Sequence, residues 1–337
     1  HFTMNVAIIG ASGYTGLELI KILINHPKFN ITYIANSSGE INVQDLHPCL
    51  KNVINMDVNL ADAKAVAQVA DLAFLALPHK TAMVFAKELL ALGIKVIDLS
   101  ADYRLSLETY EKHYCEHGDK ENIKDAVYGL PEYFKEDIKN ARLIANPGCY
   151  PTATLLALLP FIDYIDTESP IFIDAKSGVS GAGKNPSDTT HYYQINDNVH
   201  AYNPFKHRHM PEIQEKIKIL KGKDLPINFV PHLLPLTRGM LVSVFATLKD
   251  DINVNQVLNN SYKNCEFIRL RDKPVDVKSV AGTNFCDLFV AKNGKALFVS
   301  SAIDNLLRGA SSQAVVNANI LCGYEEYEGI PKIAYVP

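Results

Sequence analysis

Cys149 stands in Asn146-Pro147-Gly148-Cys149-Tyr150-Pro151-Thr152, between an apolar run that reads as a buried strand and a longer one that reads as a helix. A cysteine chosen only for packing belongs inside such a run, and this one lies at its mouth. Pro151 suits the first helical position, where its missing N–H costs nothing. Cys149 is therefore expected at the helix entrance, facing the positive end of the macrodipole. Thiol pKa values fall at helix N-termini, and the thiolate is the nucleophile. Cys265, Cys286 and Cys322 lie within apolar segments, and Cys49 and Cys115 lack a helix-start signature, so all five read as structural. A thiolate nucleophile also needs a group that moves protons. Lys206-His207-Arg208-His209-Met210-Pro211-Glu212 supplies two histidines ahead of a proline-started helix. As metal ligands, His207 and His209 lack an obvious third partner. His113-x-Cys115-x-His117 reads as solvated helix beside Lys112 and Glu116. No metal is expected.

Chemistry of this kind needs a scaffold and a second reactant. Asn5-Val6-Ala7-Ile8-Ile9 is a short apolar run ending in Gly10-Ala11-Ser12-Gly13-Tyr14-Thr15-Gly16, and helical periodicity follows from Leu17 to Asn25. Strand, glycine-rich turn, helix and second strand (31–35) fall within about 30 residues, the context that phosphate binding at a helix N-terminus requires. The glycine spacing is G-x-x-G-x-x-G, which displaces the tight-turn position of the usual dinucleotide fingerprint. The second strand ends Ala35-Asn36-Ser37-Ser38-Gly39, with no acid where NAD-specific folds hold the ribose hydroxyls. Two hydroxyls and two loop amides there could bond a 2'-phosphate, which favours NADP(H) over NAD, with Glu40 close by. Leu72–Pro78 is nearly continuous apolar strand, as in a parallel sheet covered on both faces. A helix (81–92) and another strand (95–99) complete a βαβαβ pattern of the doubly wound class.

After residue 165 the alternation stops. Segments 171–177, 227–234, 240–248, 266–271, 285–291 and 296–303 read as strands, with helices only at 210–220 and 254–263. This suits an α+β domain on a mostly antiparallel sheet. A last helix, 309–321, is expected to return to the first domain. The division is then 4–148 with 309–337 for the nucleotide-binding domain and 149–308 for the catalytic and oligomerisation domain. His1-Phe2-Thr3 reads as a foreign remnant ahead of a natural Met4. At 337 residues two domains are expected, and a net charge of -4 with dispersed lysines argues against nucleic acid. No apolar run approaches the ~20 residues that span a bilayer. Six dispersed cysteines without a C-x-x-C pair read as reduced thiols in the cytoplasm. One lookalike fails: Gly178-Val179-Ser180-Gly181-Ala182-Gly183-Lys184 matches the start of a triphosphate loop, yet Asn185 replaces the magnesium-binding hydroxyl and Pro186 interrupts the helix. Its amides and Lys184 could still receive one phosphate or carboxylate.

GASGYTG, DLSADYR, YGLPE, NPGCYPT, KSGVSGAGK, HRHMPEI, HLLPLTRGM and LLRGASSQAVVNAN, in order from residue 10 to 319, together resemble the N-acetyl-γ-glutamyl-phosphate reductase family of the semialdehyde dehydrogenase group. The resemblance implies NADPH-dependent reduction of N-acetyl-L-glutamyl 5-phosphate to the 5-semialdehyde and phosphate, through a cysteine thioester, in arginine biosynthesis. It places the nucleophile on Cys149 and the base on a histidine of HRHMPEI. His209 is preferred as nearer the helix start, with His207 the alternative. It implies cofactor contacts from Gly10, Ser12, Gly13, Tyr14, Thr15, Gly16, Ser37, Ser38 and Asn317. Substrate contacts are expected from Arg104, Ser177, Gly178, Lys184, Tyr202 and Arg238. A homodimer or homotetramer, and a functional link to N-acetylglutamate kinase, follow from the same resemblance. The competing reading, a non-catalytic NADP sensor, has no use for a helix-start thiol beside paired histidines.

Overall fold

Short runs of apolar, β-branched residues form the centre of the first sheet in the computed structural model, which describes residues 3–337. The chain divides into two compact units: the N-terminal part to Pro147 with Ala310–Pro331, and Gly148–Gly309 with Lys332–Pro337.

The first unit holds β1 (Met4–Ile9), β2 (Phe29–Asn36), β3 (Ile41–Asn42), β4 (Asp57–Leu60), β5 (Leu72–Leu75), β6 (Lys95–Asp98), β7 (Val127–Tyr128) and β8 (Leu143–Ala145). They lie in the order β3-β4-β2-β1-β5-β6-β8-β7. All pairings are parallel except β3 with β4. All of β5 is buried, as a strand covered on both faces must be. The order reverses between β1 and β5, and such a switch point opens a crevice beyond the strands' carboxyl ends. The Tyr14 helix (Tyr14–Ile24) and the Ser311 helix (Ser311–Leu321) pack on each other, and every residue of the latter is buried.

The second unit holds β9 (Ile171–Gly178), β10 (His200–Ala201), β11 (Ile227–Leu234), β12 (Met240–Thr247), β13 (Ile268–Leu270), β14 (Cys286–Asn293) and β15 (Ala296–Ile303), in the order β10-β11-β9-β12-β15-β14-β13. β11 with β9 and β13 with β14 are parallel and the other pairings antiparallel. The sheet is thus mostly antiparallel, as the pattern predicts, with two parallel pairings. Strict alternation in β11 and most of β12 turns one face inward, where the Cys149 helix (Cys149–Leu158) packs on β12 and β15. Tyr150 to Leu158 are all buried, and each buried leucine of this helix contributes about 2 kcal/mol. The His209 helix (His209–Lys221) packs beside it.

Two boundaries differ from the sequence reading. Cys149 itself opens its helix, with Gly148 as N-cap, so Pro151 is the third helical residue and not the first. The shift is harmless, because none of the first four N–H groups of a helix has an intrahelical partner. Residues 332–337, expected with the first domain, group with the second unit: the Tyr335 N–H donates to the Ala281 carbonyl at 2.8 Å, and Lys332 pairs with Glu266 at 2.6 Å. His1 and Phe2 of the expected foreign remnant lie outside the described residues.

Candidate active site

In the first unit, the loop from β1 to the Tyr14 helix is shaped by glycines with distinct tasks. Gly10 has φ +97°, a left-handed conformation, and a Cβ there would lie 2.2 Å from the Ala76 carbonyl oxygen at the end of β5. It supplies the tight turn despite the displaced spacing. Gly13 caps the helix, with open space around its missing Cβ and no side chain bonded to the first-turn amides. Gly16 lets the helix close on the loop, since its Cβ would meet the Gly10 oxygen at 2.3 Å. Loop, switch point and uncapped helix start fit a nicotinamide dinucleotide, whose pyrophosphate suits such amides. Ser12 takes part indirectly: its hydroxyl accepts from Asn36 Nδ2 at 3.0 Å. The Thr15 carbonyl accepts from the Ser311 hydroxyl at 2.8 Å, and Tyr14 is exposed.

At the end of β2, Asn36 Oδ1 accepts from the amides of Ser38 and Gly39 at 3.1 and 2.6 Å. Those amides, expected to meet a 2'-phosphate, therefore hold the turn. The Ser37 and Ser38 side chains remain exposed, as does Glu40. Asn317 is fully buried, and its Nδ2 donates to the Gly129 carbonyl and to Asn146 Oδ1, both at 3.0 Å. Such bonds fix the fold of this unit. Arg104 is likewise buried, with Nε on the Asn146 carbonyl and Nη2 on the Leu99 carbonyl, each at 2.7 Å. His117 is also committed: its Nε2 lies 2.7 Å from the Asp102 carbonyl and its Nδ1 accepts from the Asp119 amide.

In the second unit, Cys149, Ser177, Tyr202, His207 and His209 line one cavity of about 410 Å³. Cys149 and His209 are each the first residue of a helix, and the two helices pack together. Neither N-cap residue, Gly148 or Arg208, caps its own helix through a side-chain hydrogen bond. The histidine rings are adjacent, with centroids 4.7 Å apart, and Tyr150 meets both edge-on. The His209 backbone N–H donates to His207 Nδ1 at 3.1 Å. A neutral His207 must then carry its proton on Nε2. Burial, helped by the positive charge of Arg208, pulls His207 down to about 4. Tyr150 and Tyr202 share a hydroxyl contact of 3.0 Å. Burial pushes Tyr202 up to about 12 and Tyr150 further still, so both hydroxyls stay protonated.

The remaining expected residues spread around this cavity. Ser177 is buried, its hydroxyl bonded to the Gly178 carbonyl at 2.9 Å. Gly178 ends β9 and heads a short turn, Val179–Ala182, beyond which Lys184 is exposed. Arg238 does not line the cavity; its Nη1 donates to the buried carboxylate of Asp304 at 3.0 Å, and its guanidinium lies over the Tyr335 ring. Two residues escaped sequence reasoning. Glu212, one turn along the His209 helix and buried, accepts from the Gly148 N–H at 3.0 Å and ties that helix to the cap of the Cys149 helix. Its place as an acid in a first turn was the available signal. Gly309 leaves room for Cys149: a Cβ there would lie 2.7 Å from the Cβ of Cys149. Among the described residues no cluster of three His, Cys, Asp or Glu could hold a metal, and no helix is long and apolar enough to cross a membrane.

Comparison with known proteins agrees with this arrangement. The model of the semialdehyde dehydrogenase NAD binding domain matches residues 5–141, and that of the semialdehyde dehydrogenase dimerisation domain matches 149–305. An N-acetyl-gamma-glutamyl-phosphate reductase of a Sulfurovum species is 61% identical over 99% of this chain and 100% of its own length. That of Wolinella succinogenes is 58% identical, covering 98% of each chain. Among solved structures, aspartate semialdehyde dehydrogenase II of Vibrio cholerae shares the fold with a TM-score of 0.75 at 20% identity, over 96% of this chain and 99% of that one. The chain belongs to the semialdehyde dehydrogenase family, and within it to the N-acetyl-gamma-glutamyl-phosphate reductases.

Proposed function

We propose that the chain reduces N-acetyl-L-glutamyl 5-phosphate to N-acetyl-L-glutamate 5-semialdehyde and phosphate with NADPH, through a thioester on Cys149, as a step of arginine biosynthesis. The observation that carries this reading is a cysteine that opens a helix and shares one cavity with two histidines. The Cys149 sulfur attacks the acyl carbon; the C–S bond forms, the bond from carbon to the phosphate oxygen breaks, and phosphate leaves. His209 takes the thiol proton before attack. NADPH, when held by the glycine-rich loop of the first unit, would supply the hydride that the thioester carbon receives. Hydride addition leaves the thiohemiacetal oxygen as an oxyanion; it collapses to the aldehyde as the C–S bond breaks, and His209 returns the thiol proton to the departing sulfur. The first-turn amides of the Cys149 helix face the developing oxyanion. The Gly148 amide is excluded from that task by its bond to Glu212.

Ser177, the Gly178 turn and Lys184 are assigned to the phosphate, and Tyr202 to the acetylated end as a neutral donor. Arg104 and Arg238, whose guanidiniums already hold backbone and carboxylate groups, are assigned to shaping their loops. The exposed serines after β2 and the lack of an acid at its end favour NADPH over NADH. A homodimer or homotetramer is supported by the outer sheet face, where Phe172 and Phe245 are exposed and Phe245, Phe298 and Phe289 form a row of rings. The acyl phosphate hydrolyses readily, which supports a functional link with the kinase that makes it and a cytoplasmic setting for both. The test runs the reaction backwards with N-acetylglutamate semialdehyde, phosphate and NADP, following absorbance of the reduced cofactor. Activity that disappears in Cys149→Ser is expected; full activity in that variant overturns the mechanism.

A further inference from the structure

The cavity beside Cys149 has an uneven chemistry. Apart from the reacting groups, it is lined by Tyr150, Tyr202, Ser177, Thr189, Thr190, Asn203, His200 and small or apolar residues. Among the described residues that line it there is no Asp or Glu, and no Lys or Arg. An amino-acid substrate with a free α-ammonium brings a full charge and three donors, and here it would meet only neutral acceptors. An acylated nitrogen brings one N–H and one carbonyl, which a carboxamide can serve with its own oxygen and nitrogen.

Asn203 carries a second, independent mark. Its φ is +45°, in the left-handed region that most L residues avoid and Asn enters at lower cost. The conformation is imposed by its neighbours: the Tyr202 N–H donates to the Pro231 carbonyl and the Phe205 N–H to the Phe229 carbonyl, each at 3.0 Å, so β11 anchors the chain on both sides. Strained backbone of this kind gathers at ligand-binding positions. We propose that Asn203 is a specificity-determining residue that receives the acylated nitrogen of the substrate, and that the absence of a carboxylate from this wall rejects substrates with a free α-amino group. The inference rests on the reductase reading above and adds the origin of its selectivity.

N-acetylaspartate semialdehyde and aspartate semialdehyde differ only at nitrogen, which isolates this contact. With phosphate and NADP, the wild type should show a kcat/KM roughly tenfold to a hundredfold higher for the acetylated member, the range of one charge-assisted hydrogen bond left unmade. Asn203→Asp keeps the size and tolerates the left-handed backbone, and should narrow the ratio by about tenfold. Asn203→Gly relaxes the backbone and removes the amide, and should raise KM for the acetylated aldehyde more than for the free amine. Equal kcat/KM for both aldehydes in the wild type overturns the inference, as does an unchanged KM in Asn203→Gly. If both aldehydes react equally and Cys149→Ser abolishes each reaction, selectivity alone has failed; if neither they nor N-acetylglutamate semialdehyde reacts, the reductase reading fails with it.

Discussion

His207 and His209 differ by two positions, but the Nδ1 of His207 is committed to the His209 backbone N–H, and a single substitution tests what that ring does. His207→Asn places an amide oxygen where Nδ1 stood, preserving an acceptor for the His209 N–H while removing a titrating ring. Burial, then the Arg208 charge, hold the folded His207 near 4, against 6.5 for an unperturbed ring. Its folded value is depressed, so this histidine contributes full stability above about pH 6.5 and loses it as pH falls toward 4. Between about pH 7.5 and about pH 5, the unfolded ring becomes almost wholly protonated while the folded ring stays mostly neutral. The difference amounts to about 2 kcal/mol, trimmed toward about 1 kcal/mol by the solvent that reaches a half-buried ring.

Urea unfolding followed by tyrosine fluorescence, which no tryptophan obscures in this chain, measures that difference. The wild type should lose about 1 to 2 kcal/mol more than His207→Asn over this pH interval. Parallel pH dependences would refute the buried, neutral assignment. The same tautomer argument bears on catalysis, since a ring with Nδ1 occupied and a proton on Nε2 has no lone pair to offer a thiol. His207→Asn should then lower kcat/KM less than about tenfold, whereas His209→Asn should lower it by the ~10²- to 10⁴-fold typical of a lost general base. The reverse ranking would transfer the proton-moving role to His207.

Gly309→Ala should slow alkylation of Cys149 by iodoacetamide and cost about 1 to 3 kcal/mol in thermal melting, because the new methyl group meets the Asn305 carbonyl at 2.4 Å as well as the cysteine. Gly10→Ala should weaken NADP binding in a fluorescence titration and lower stability by at least about 1 kcal/mol, from its left-handed φ and the contact with Ala76. Glu212→Gln retains an acceptor for the Gly148 N–H but removes a carboxylate from the nucleophile's helix cap. The pH midpoint of Cys149 alkylation should therefore fall by about half a unit, and a rise would contradict that electrostatic picture. Ser37→Asp should lower kcat/KM for NADP at least roughly tenfold while sparing NAD, through repulsion of the 2'-phosphate.

What the sequence reveals about this site depends on how local the cause is. The strands of both sheets and the two helix starts are legible because apolar runs, Gly148, Pro151 and Pro211 act on their immediate neighbours. Arg104 and Asn317 show the opposite case. Their bonds to carbonyls distant in sequence, that of Asn146 for Arg104 and of Gly129 for Asn317, exist only once tertiary structure has formed. Glu212 is hidden in the same way, since its partner Gly148 lies 64 residues away. Asn203 had a local signal that went unread: it precedes Pro204, which disfavours the right-handed helical region, and Asn is among the few residues that accept the left-handed one. The misplaced start of the Cys149 helix is the most instructive case. Proline is tolerated through the first turn, because the N–H it lacks would be unpaired at any of those positions. Pro151 therefore marks a window for the helix start and not a point. Cys149 falls inside that window as the first helical residue, so its thiol and its own amide belong to the same first turn. The proposed nucleophile and the proposed donor for its oxyanion thus share one local cause, the entry of the chain into this helix.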